Sequence, residues 1–136
     1  MKKIILPGLL AGLAALISSA ILSLIFTHVP AIAADYANPA LIRPFSDPLM
    51  SVFFLYPFIL GIALAWAWNK SKSLFLGTTA ARGTKFGLSV WLISTIPGMF
   101  VSYTCFPISI LTVLSWTVDG LAASIIIGMI VARMNR

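Results

Sequence analysis

Four uninterrupted apolar runs, at about residues 4–27, 48–68, 84–106 and 107–132, divide this chain, and each is long enough to cross a bilayer. A hydrocarbon core about 30 Å thick takes roughly 20 apolar residues of helix. Lipid offers no water to satisfy backbone polar groups, so only helices and closed barrels span it. A barrel would require alternating segments of about 10 residues, whereas these runs are continuous. With 60% hydrophobic and 9% charged residues, the composition lies outside the range of water-soluble domains. The sequence therefore predicts an all-α, polytopic membrane protein. Its single domain, residues 1–136, is a bundle of four transmembrane helices with short loops.

Charge sets the expected orientation. Lys2 and Lys3 precede the first run, Lys70, Lys72, Arg82 and Lys85 surround the second connection, and Arg133 and Arg136 follow the fourth run. One threading puts all of these on the same side and leaves only Arg43 opposite, beside Asp35 and Asp47. Basic residues in short loops collect on the cytoplasmic side. The expectation is a multi-pass protein of a bacterial-type cytoplasmic (inner) membrane, with both termini cytoplasmic. Topology accounts for the net charge of +6, and no nucleic-acid partner is expected. Ala31-Ile32-Ala33 looks like a signal-peptide cleavage site. The apolar stretch before it, however, exceeds the roughly 7 to 15 residues of a signal core. It also carries Gly8 and Gly12 and a stripe of Ala11, Ala15, Ser19, Ser23 and Thr27 suited to close helix packing. Retention of the first helix is expected.

Local punctuation fits four helices. Asp47-Pro48 pairs an N-cap with a first-turn proline, and Phe106-Pro107 ends one helix and begins the next. The connection from Thr27 to Asp47, with Pro30, Pro39 and Pro44, is expected to be an extended surface loop. The connection from Asn69 to Gly83 is either interfacial, with Leu74, Phe75 and Leu76 in lipid and its lysines on phosphates, or a plain flexible loop. Trp66, Trp68, Tyr103 and Phe106 fall where interfacial aromatic anchors belong. Small residues form further seams at Gly83 and Gly87, at Ser94, Gly98 and Ser102, and at Gly120, Ser124, Gly128 and Ala132. Such seams close the four-helix bundle, or leave one face for a homo-oligomer or a larger membrane complex.

Asp119 is the functional candidate, because it lies inside an apolar run with no other charge. At about 1.5 Å per residue it stands roughly 18 Å from Pro107 and 21 Å from Arg133, near mid-membrane. Inserting it costs about 2.5 to 3.5 kcal/mol, whereas membrane-buried hydrogen bonds average about 0.6 kcal/mol. Matching depth across helices brings Ser19, Tyr56, Ser94 and Thr95 into one polar layer with Asp119, and Ser115 extends it along the same helix. Pro57 and Pro97 lie in that layer, where each removes a backbone bond and kinks its helix.

Catalysis lacks residues. Cys105 has no intramolecular partner, and His28, Asp35, Asp47, Asp119 and Cys105 are too dispersed for a metal site. No cofactor is implied. His28 is expected to cap the first helix, and Arg43 to form a local ion pair. The residues point to a non-enzymatic packing or accessory subunit that holds Asp119 as a buried polar contact in the lipid bilayer. The alternative is a small proton- or ion-coupled transporter or channel with Asp119 as the coupling carboxyl.

Overall fold

The computed structural model describes residues 2–135, the Lys2 side chain excepted. The Lys2 and Arg136 charges counted for orientation lie outside the described residues. Six α-helices follow in order: α1 Lys2–Phe26, α2 Pro30–Ala37, α3 Tyr56–Ser71, α4 Thr79–Val90, α5 Ile96–Cys105 and α6 Ile110–Met134. A 3-10 stretch, Pro48–Leu55, leads into α3, and a π turn, Trp91–Thr95, joins α4 to α5. The result is four rods, Lys3–Phe26, Pro48–Leu74, Thr79–Cys105 and Ile110–Met134, each long and apolar enough to cross a membrane. The chain is an all-helical membrane-type bundle.

Both expected kink prolines sit where the helix changes type. Pro57 falls in the first turn of α3, after the 3-10 stretch, and Pro97 in the first turn of α5, after the π turn. A proline there forfeits a hydrogen bond that the altered winding does not use.

Glycine seams pair the rods. α1 packs on α3, α4 on α6, and α1 on α6. A Cβ on Gly12 would lie 2.6 Å from the Pro57 carbonyl, and one on Gly83 would lie 2.6 Å from the Gly128 carbonyl. Gly61 of α3 similarly faces the Gly8 carbonyl, and Gly87 faces Ser124. Backbone against backbone at this range admits only glycine. The seams of α1, α4 and α6 are therefore used within the chain. Gly98 is the exception, with nothing within 4 Å of its Cβ position.

The densest packing lies at the end that carries both chain termini, here the terminal end. Ala11, Ala15, Leu64, Ala65, Trp68, Phe86, Ile127, Val131 and Ala132 form one buried cluster there. Trp68 corrects the anchor expectation: it is 0% exposed, whereas Trp66 is 56% exposed. Its ring meets Phe86 at 5.4 Å, and Arg82 stands 5.4 Å over it. Its indole N–H donates to the Asn135 carbonyl at 3.1 Å. The Asn135 amide in turn donates to the Lys3 carbonyl at 2.8 Å, tying the start of α1 to the end of α6.

Two connections also differ from the sequence reading. The Asn69 to Gly83 segment is largely helical, because α3 runs on to Ser71 and α4 starts at Thr79 with Thr78 as its cap. Phe75 turns inward onto Trp68 and Phe86, leaving Leu74 and Leu76 exposed. The opposite, loop end holds α2 where an extended loop was expected. Pro30 at its first position, followed by alanines, starts that helix. Asp47 does cap the Pro48 turn, accepting from Leu49 N–H at 2.8 Å. His28 Nδ1 donates to the Leu24 carbonyl at 2.7 Å and caps α1.

Candidate functional site

Asp119 projects from α6 between α1 and α3. The hydroxyls above it on the same helix are turned to their own backbone: Ser115 donates to the Thr112 carbonyl at 2.7 Å and Thr117 to the Val113 carbonyl at 2.7 Å. Across the interface, the Ser19 hydroxyl of α1 faces the carboxyl, and Tyr56 lines the same cavity as Asp119. The Asp119 Oδ1 is buried and has no hydrogen-bond partner among the described residues.

Two cavities meet at this carboxyl. One, of about 400 Å³, extends toward the loop end past Ser115, Trp116, Phe26, Tyr36 and Phe106 to Arg43. The other, of about 390 Å³, lies between α3 and the α4–α5 rod and is bounded by Tyr56, Ser94, Thr95, Gly120 and Ser124. Ser19, Phe53, Trp116 and Asp119 line both. Every polar side chain of the expected layer, and Pro57, thus borders one cavity or the other, whereas Pro97 borders neither. The π turn positions Thr95 against α6, where a Cβ on Gly120 would fall 2.8 Å from the Thr95 methyl. The Trp91 indole N–H fixes that turn by donating to the Thr117 carbonyl at 2.9 Å.

The loop-end cavity is roofed by α2 through contacts that span most of the sequence. Asp35 accepts from Ser109 N–H at 2.8 Å and from the Thr112 hydroxyl at 2.6 Å, supplying a tertiary cap to α6. Tyr36 accepts from the Trp116 indole N–H at 2.8 Å. The Thr112 hydroxyl, then the Ser109 N–H, hold the Asp35 carboxyl below the usual carboxylate range. Beside it Arg43 pairs with Asp47 at 2.6 Å. The Leu49 N–H and then that guanidinium keep Asp47 below the usual range too. Arg43 therefore pairs with Asp47 alone, and Asp35 serves α6.

Sequence reasoning did not find Phe53, Trp116 or α2. Trp116 carried one usable signal, lying three residues before Asp119 and so on the same helix face. No group of three His, Cys, Asp or Glu that could hold a metal occurs among the described residues. Compared with family models, curated proteins and solved structures, the chain matches none.

Proposed function

We propose that this chain is a non-enzymatic membrane protein that binds a small solute beside Asp119 and passes it as a proton- or ion-coupled transporter or channel. The observation that carries this reading is the meeting of two cavities at one carboxyl with an unpartnered oxygen. A carboxyl serving only to pin helices would be enclosed and fully bonded. Instead it borders open volume on the loop side, while the terminal end is sealed by Trp68, Asn135 and the surrounding apolar cluster. One carboxyl is neutralised either by a proton or by a cation, so the two exclude one another, which is the basis of coupling. Release at the terminal end would require that seal to part. The basic residues support placing the terminal end on the cytoplasmic side of a bacterial-type inner membrane.

The test is infrared difference spectroscopy of the Asp119 carboxyl in lipid, with Asp119→Asn as the control. A band that follows bulk pH and exchanges promptly in D₂O is expected. A band indifferent to both overturns the reading and leaves a dry helix pin.

A second role, assembly with another copy or a larger membrane complex, is favoured by α5. None of its ten residues is buried, and Gly98 faces open space. Oxidative cross-linking through the exposed Cys105 checks it: a covalent dimer is expected, and monomer alone refutes self-association through α5.

A further inference from the structure

We infer that the solute is a small organic monocation with an apolar, preferably aromatic, body. The inference rests on the solute-binding reading above and names the class of ligand.

Charge is the first ground. The chain has three acidic residues, and Asp35, Asp47 and Asp119 all belong to the loop-end half; Asp119 alone of the three lines the cavities. Arg43, the one lysine or arginine of that half, is taken up by Asp47, and His28 is turned to the Leu24 carbonyl. Among the described residues Lys3, Lys70, Lys72, Arg82, Lys85 and Arg133 stand toward the terminal end. A cleft of one sign with low-dielectric walls concentrates ions of the opposite sign. With Arg43 paired to Asp47, Asp119 is the uncompensated charged side chain of the lining, and its Oδ1 has no cation of the protein to meet among the described residues.

Size and wall chemistry narrow the class further. A bare metal ion would need several oxygen ligands at short range, and the lining of the two cavities supplies one carboxylate, Asp119, as an anionic ligand. The space is also far larger than an ion. At about 400 Å³ for one cavity and 390 Å³ for its neighbour, it suits a small organic molecule. Phe53 and Trp116 stand at the junction beside the carboxyl, with Phe26, Tyr36 and Phe106 along the approach. Aromatic faces attract a desolvated cation while covering its apolar body. With a neutral solute of the same shape the proton stays on Asp119, so such a solute gains no ion pair with the carboxyl.

The experiment is equilibrium binding of radiolabelled benzyltrimethylammonium to the full chain in lipid nanodiscs. Its competitor is neopentylbenzene, the uncharged carbon isostere. Saturable binding is expected, with the isostere competing at least tenfold less well. Asp119→Asn should weaken binding at least tenfold, Asp119→Glu should retain it within a few-fold, and Phe53→Leu should weaken it several-fold. Equal competition by the isostere, or full affinity in Asp119→Asn, overturns the cation class. Absence of binding while the Asp119 carboxyl still follows bulk pH overturns the cation class alone. Absence of binding together with an unresponsive carboxyl overturns the solute reading as well.

Discussion

Replacing Gly83 by alanine tests the backbone-to-backbone crossing of α4 and α6. The added Cβ would lie 2.6 Å from the Gly128 carbonyl oxygen and 2.7 Å from the Met129 Cα, whereas ordinary contact begins at 3.4 Å. The crossing must open by about 0.8 Å, and the atoms in the way are backbone, which cannot rotate aside. Overpacking of this kind costs about 1–3 kcal/mol, while alanine recovers about 0.5–1 kcal/mol of helix stability over glycine. The net expectation is a loss of about 1–2 kcal/mol, roughly a five- to thirtyfold fall in the folded-to-unfolded ratio. Gly98→Ala is the matched control, because nothing lies within 4 Å of its Cβ position. It should gain about 0.5–1 kcal/mol from the same backbone preference. Reversible unfolding in mixed micelles, titrated with dodecyl sulfate and followed by helical circular dichroism, reads both. Changes of the same sign and size would refute the crossing geometry.

Other consequences follow from particular contacts. Asp35→Asn should loosen α2 by about 1 kcal/mol, a modest figure for a charged acceptor because the site is only partly buried, seen as roughly fivefold lower hydrogen-exchange protection across residues 30–37. Thr112 keeps Ser109 as a partner at 3.1 Å, which limits the loss. Because docking lowers the Asp35 pKa, its stabilisation is complete above the usual carboxylate range and is lost as pH falls through the lowered value. The protection factor of wild type across residues 30–37, the rate corrected for intrinsic exchange at each pH, should therefore fall at acid pH toward that of Asp35→Asn, which should show no such transition; a pH-independent wild-type protection factor would contradict this. Trp68→Phe should cost about 1–2 kcal/mol, through lost packing and the lost donor to Asn135, and Trp66→Phe should stay within about 0.5 kcal/mol. Equal midpoints in the same micelle titration would count against the buried role of Trp68. In a Cys105→Ser background, Ser23→Cys, exposed on the wall of the loop-end cavity, should react with a water-soluble maleimide and the buried Ala65→Cys should not. Equal labelling would remove the distinction between an open and a sealed end.

The primary structure alone determined the architecture class and the number of rods, because the cost of leaving backbone unpaired in lipid leaves a long apolar run one regular solution. It also singled out Asp119, since one charge in such a run stands out without any knowledge of neighbours. Depth matching assembled Ser19, Tyr56, Ser94, Thr95 and Ser115, because helical rise converts residue number directly into height. Height, however, says nothing about rotation around the bundle, and that is where tertiary structure decided. Whether Trp68 anchors in the interface or fills the core depends on which side of α3 faces α4 and α6, a choice made by the Gly8, Gly12 and Gly61 contacts with α1. Whether a glycine seam is spent or spare depends on its partner rod, so Gly83 and Gly128 meet and Gly98 does not. The α2 roof depends on Asp35 reaching Ser109 and Thr112, more than seventy residues away, where no local pattern extends. Cavities are the space left after all such choices, and only the assembled rods reveal that two of them meet at Asp119.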